Sequence, residues 1–111
     1  MNDQQVEDTV KELGLVYPRV RKDRIDELMA SVEVVTHVVE GTTTTVATAL
    51  LPVKHIKFTL ATEISACIDP RNFNAELGAN IARDKALATA RNKLWELEGY
   101  ALALKLLEAE V

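Results

Sequence analysis

Five residues, Asp69-Pro70-Arg71-Asn72-Phe73, set an acid, a guanidinium, an amide and an aromatic ring in a row just ahead of a helix-like stretch. Side chains of that kind suit an anion that carries a base. Free N–H groups at a helix N-terminus, together with the helix dipole, attract negative charge. Arg71 can grip a phosphate with two parallel donors. Asn72 can bond a base edge, and Phe73 can stack on a base. The plainer and commoner use of such residues is Asn72 as a helix cap and Phe73 as a hydrophobic staple into the core. Further along, Arg83, Lys85, Arg91 and Lys93 place cations on the helix. Arg83 and Arg91 are eight positions apart, roughly on one side and two turns separated. They are candidate phosphate contacts, although a solvated face is the more usual origin of such a set.

Nothing in the chain points to catalysis. It has no GxGxxG, no Walker loop, no nucleophile elbow and no metal-ligand cluster. Glu76, Asp84, Glu96 and Glu98 could be paired by folding, but helical spacing reads first as a wet face. The lone Cys67 excludes an intramolecular disulfide, and its apolar setting, SACID, suits a buried small hydrophobe. His37 and His55 lie in strand-like runs, and without HExxH spacing they argue against zinc. No catalytic residue, cofactor or metal ligand is therefore expected, and the chain reads as a non-enzyme.

The 111 residues suit a single domain spanning 1–111. A chain this short exposes much of its surface, and assembly is a common remedy. Hydrophobic content of 48% excludes disorder by composition. With 13 basic and 17 acidic side chains the net charge is −4, which argues against duplex nucleic acid as a partner. No apolar run approaches the roughly 20 residues of a membrane span. The polar, acidic start MNDQQVEDTV does not resemble a signal peptide, so the expected location is the cytoplasm.

The elements follow from periodicity. Val6, Val10 and Leu13 fall at helical spacing over residues 3–13, with Gly14 as a stop. Asp23 could cap a second short helix, RIDELMASV. The basic run Arg19–Arg24 is flanked by acids and reads as surface unless it reaches a neighbouring subunit. From Val32 the period changes: VEVVTHVVE, TTTTVATALL and HIKFTLATE predict three strands with turns at Glu40–Thr42 and Pro52–Lys54. Short connections suggest an antiparallel meander, with Ile64–Ile68 as an extension. Asn72 or Asn74 can cap a long helix from about Ala75 past Trp95, with Leu77, Ile81, Ala88, Trp95, Leu102 and Leu106 on one stripe. Gly99 interrupts it beside the only tryptophan, at about 1 kcal/mol against alanine. Close approach to the sheet, a kink or a subunit contact would each account for it. The expected fold is α+β: a β-meander of three to four strands, a long C-terminal helix and one or two short N-terminal helices.

Several of these residues also form a recognisable pattern. Ser65-Ala66-Cys67, Pro70, Asn72-Phe73, Gly78, Ile81-Ala82 and Trp95 to Tyr100, with the earlier PRVRKDRIDELMASVE, resemble a family of small bacteriophage proteins typed by phage N4 and phage Sf6 early-gene products. The resemblance covers roughly residues 17 to 107. The chain departs from the pattern where VKHIKF replaces an Asn-Gly-Phe hairpin, and the helix between Ile81-Ala82 and Trp95 is about a turn longer.

A similar branch of that family comprises Thoeris anti-defence sponges. The resemblance implies a phage protein of the host cytoplasm that sequesters a cyclic nucleotide signal without cleaving it, glycocyclic ADP-ribose or a cyclic trinucleotide. It also implies pockets between protomers of a dimer or hexamer. The residues expected to make the ligand contacts are Arg71, Asn72 and Phe73, with Arg83 and Arg91 reaching phosphates from the same or a second subunit. The alternative is a phage accessory protein that inhibits a host protein by direct contact through its acidic surface.

Overall fold

The computed structural model describes residues 1–109. In chain order it has helices α1 (Asp3–Glu12) and α2 (Lys22–Met29), and strands β1 (Glu33–Val38), β2 (Thr45–Val53) and β3 (Ile56–Ser65). A short 3-10 turn (Pro70–Asn72) then leads into helix α3 (Ala75–Ala109). The strands form an antiparallel meander in the order β1-β2-β3, as expected for an α+β chain. The α3 helix packs across one face of this sheet, and α1 and α2 gather along its later turns.

Each helix start has a local cause. Asn2 and Gln5 form a reciprocal capping box at α1. Asn74 caps α3 by accepting from the Leu77 N–H at 2.9 Å, so the cap is Asn74 and not Asn72. The α2 helix begins one residue before Asp23, with Arg21 at its cap position. Its free Lys22 N–H is met instead by the Glu7 carboxylate of α1 at 3.1 Å.

The β2–β3 connection is tighter than Pro52–Lys54 suggested. The β2 strand runs through Pro52, and Val53 pairs with Ile56 across a two-residue turn in which Lys54 takes φ 51°. Pro52 is tolerated because β1 pairs with β2 only as far as Leu50, so no partner asks for its missing N–H. The alternation expected over Ile56–Leu60 breaks at a bulge. Ala49 faces Ala61 while Leu50 faces Thr59, which leaves Leu60 as the extra residue. Leu60 and Ala61 therefore both turn inward and are buried. The Ile64–Ile68 extension stops at Ser65.

The face that α3 buries differs from the expected stripe. Ala82, Ala86, Ala90 and Leu94 are buried, whereas Leu77 and Ile81 are 57% and 40% exposed. Small residues win because the sheet also offers small ones. Ala47 and Ala49 on β2 face the helix, and two alanine surfaces let the backbones approach closely. Approach is also close at Gly78, where a Cβ would stand 2.9 Å from Thr45 Oγ1. Gly99 does not serve that purpose: a Cβ there meets nothing within 4 Å, and α3 runs through it unbroken.

This core is slender. Six of its nine buried hydrophobic residues are alanine, and only Ile25, Leu60 and Leu94 are larger. Meanwhile the sheet face opposite α3 stays uncovered. Val35 and Ile64 on that face are 53% and 54% exposed. The 35 residues of α3, at about 1.5 Å each, outrun the ten-residue β3. Tyr100, Leu104 and Leu107 on its last turns remain exposed.

Candidate functional site

The residues singled out before α3 do come together, but not as free donors. Asp69 accepts the Arg71 backbone N–H at 2.9 Å and turns the chain into the short 3-10 turn. Its carboxylate also holds the Arg71 guanidinium, with Nη2 to Oδ2 at 2.6 Å. That hydrogen bonding holds the Asp69 carboxyl below its usual range and raises Arg71. Arg71 is thus a surface cation already balanced by its neighbour, with its side chain 88% exposed.

Phe73 stands between two concavities. On one side is a small hollow of about 90 Å³ whose lining includes Thr43, Cys67, Asn72 and Gly78. On the other is an open cleft of about 530 Å³ bounded by Gly41, Thr42, Thr43 and Pro70. The ring is half-buried, and its edge lies 3.9 Å from where a Gly78 Cβ would be, which is the staple position across the first turn of α3. Both uses weighed for Phe73 are therefore served by one placement: one side of the ring covers the helix start, and the other lines an open cleft. Because Asn74 takes the capping role, the Asn72 amide stays at the surface beside it. Thr43 Oγ1 donates to the Cys67 carbonyl and ties the Gly41–Thr44 turn to this corner. Cys67 is half-buried, with its Sγ 3.4 Å from the Asp69 carbonyl oxygen.

The two helix arginines part company. Arg83 is exposed on α3, two turns beyond Asn74. Arg91 lies two further turns along, in a different neighbourhood. Its Nε donates to Asp3 Oδ2 at 2.6 Å, and one Nη donates to Asp26 Oδ1 at 2.9 Å. Burial works against the Arg91 charge, but these two carboxylates more than offset it and raise the guanidinium above its ordinary value. Arg71 to Phe73 and Arg91 thus do not form one cluster within a protomer.

The basic run Arg19–Arg24 is more than surface. Arg19 grips Glu7 with two parallel bonds of 2.7 and 3.1 Å, and Arg24 Nε donates to Glu98 at 2.6 Å. Arg19, Arg21, Arg24 and Lys105 line a cleft of about 330 Å³ between α2 and the end of α3. Spacing gave no sign of these partners, because Glu7 and Glu98 are brought in by tertiary packing. Among the described residues no group of three or more histidine, cysteine or carboxylate side chains is arranged to hold a metal ion. No helix among them is long and apolar enough to cross a membrane.

A family model described as phage protein (N4 Gp49/phage Sf6 gene 66) family matches residues 20–106, that is, α2 through most of α3. No curated protein and no solved structure matches the chain.

Proposed function

Given that the chain belongs to the phage protein (N4 Gp49/phage Sf6 gene 66) family, we propose that it is an anti-defence sponge of the Thoeris type. It would hold a cyclic nucleotide immune signal, glycocyclic ADP-ribose or a cyclic trinucleotide, without cleaving it. The observation that carries this reading is the placement of Phe73. A half-buried ring at the start of a long helix, with an amide beside it and an open cleft in front, suits a stacked base, with Arg71 two residues away in the chain and paired to Asp69. In this reading Phe73 stacks, Asn72 bonds the base edge, and Arg71 and Arg83 meet phosphates. In this reading the ligand is held and not turned over.

Self-association completes the proposal. An open cleft beside Phe73 does not enclose a ligand as binding pockets usually do. A second protomer would close it, and the slender alanine core, the bare sheet face and the overhanging end of α3 all favour such a partner. Sequestration then acts by mass action, so the sponge must be abundant and must out-compete the host effector. The test is titration of the purified protein with a panel of cyclic nucleotides, followed by chromatography of what is released on denaturation. Recovery of intact ligand supports the sponge. Absence of binding across the panel moves attention to host proteins that the exposed apolar faces could engage.

A further inference from the structure

The single buried residue of α1 is a glutamate. Amphipathic helices ordinarily dock through an apolar stripe, yet Val6 is 45% exposed and Val10 only half-buried. What fastens α1 is charge. Glu7 sits in the fork of Arg19 and on the first N–H of α2, and Asp3, one turn earlier on the same helix, sits on Arg91. The span matched by the family model begins only after α1.

Beneath the Asp3 end lies a cleft of about 380 Å³ bounded by Asp3, Val6, Asn92 and Trp95. That volume is within the range of small-molecule sites, roughly 300–1,000 Å³. Its components have a common chemistry. Trp95 offers an indole ring and Asn92 an amide, while Asp3 is held by Arg91, whose Nε stands behind it at 2.6 Å. Trp95 Nε1 donates to the same Asp3 oxygen at 3.3 Å. Arg91 Nη2 is held separately by Asp26, which Lys22 Nζ steadies at 2.6 Å. Removing Asp3 would therefore free the Arg91 Nε without releasing the group.

We infer that the cleft bounded by Asn92 and Trp95, with Arg91 behind Asp3, is a binding site for a small phosphate-bearing aromatic ligand, and that α1 gates it, with Asp3 standing where the phosphate would sit. The ring stacks on Trp95, Asn92 bonds its polar edge, and Arg91 exchanges the Asp3 carboxylate for the phosphate. The inference does not rest on the Phe73 reading: Phe73 precedes α3 and this cleft lies about five turns further along, and their ligands need not be the same.

The test is titration of the full chain with ADP, followed by the fluorescence of Trp95, the single tryptophan. Asp3→Asn removes the competing charge and is expected to tighten ADP binding about fivefold, the scale of one partly exposed ion pair. Arg91→Ala in that background is expected to abolish binding, with Arg91→Lys restoring part of it should the alanine variant fold poorly. Because the readout is Trp95 itself, loss of the response in Arg91→Ala separates this site from the Phe73 cleft. Absence of ADP binding in Asp3→Asn, equal affinity in Asp3→Asn and the parent chain, or binding that survives Arg91→Ala would overturn the gate. Inorganic pyrophosphate binding as tightly as ADP would overturn the role of Trp95.

Discussion

Thr45 Oγ1 lies 2.9 Å from the point where Gly78 would carry a Cβ, and it is buried without a hydrogen-bond partner. The hydroxyl therefore sits directly under the first turn of α3, at the corner that holds Phe73. Alanine at position 78 would favour the helix by about 1 kcal/mol, but it must push into β2, where overpacking costs about 1–3 kcal/mol. Gly78→Ala is expected to destabilise the chain by about 1 kcal/mol in chemical denaturation. Thr45→Ala in the same background should recover part of that loss, because the two changes act on one contact.

Gly99 gives the opposite expectation. It sits in the same helix with open space around its Cα. Gly99→Ala should stabilise the protomer by about 0.5–1 kcal/mol, since only helix propensity changes.

The open side of Gly99 lies beside exposed Tyr100 on the overhanging part of α3. Glycine permits close approach, and aromatic residues are enriched at interface cores. If this surface meets a second protomer, Gly99→Leu will shift sedimentation towards the monomer while helicity by circular dichroism is kept. An unchanged oligomeric state would place the interface elsewhere, with the bare sheet face around Val35 and Ile64 as the next surface to alter.

Acidification should loosen α1 first. The hydrogen bonds from Arg19, and then the Lys22 N–H, hold the Glu7 carboxyl below its ordinary 4.5. Asp26 is likewise lowered, by Lys22 and Arg91, from its ordinary 3.8. A depressed carboxyl contributes its stability fully above the unfolded value, and the contribution fades as pH falls towards the folded one. Melting temperature should therefore be flat above pH 5 or so and decline below it. Glu7→Gln should lower the plateau and flatten the decline. An unchanged slope in that variant would remove the Glu7–Arg19 pair as its source.

Much of the fold was legible in the chain. The change of period at Val32 and again at Asp69 separated helices from strands, and short turns implied a meander. The buried face of α3 was not legible. Hydrophobic pattern favours Leu77 and Ile81, yet Ala82, Ala86 and Ala90 are inside, because the fit depends on Ala47 and Ala49 of another element. The Arg71-Asn72-Phe73 group could be read locally, since a turn and a helix start position it. Arg91 could not: its partners Asp3 and Asp26 are 88 and 65 residues away in the chain, and no spacing rule links them. Glu7 was hidden for the same reason, since nothing marks one acid of an acidic helix as the one that is buried.

The central claim is tested most directly by calorimetric titration of glycocyclic ADP-ribose and cyclic tri-adenylate into the parent chain and into Phe73→Ala, with chromatography of the ligand recovered after denaturation. The account predicts binding of one signal by the parent chain, recovery of that signal intact, and a loss of about tenfold or more in Phe73→Ala, the scale of one stacked base. Failure of both signals to bind, recovery of a cleaved product, or equal affinity in Phe73→Ala would contradict it.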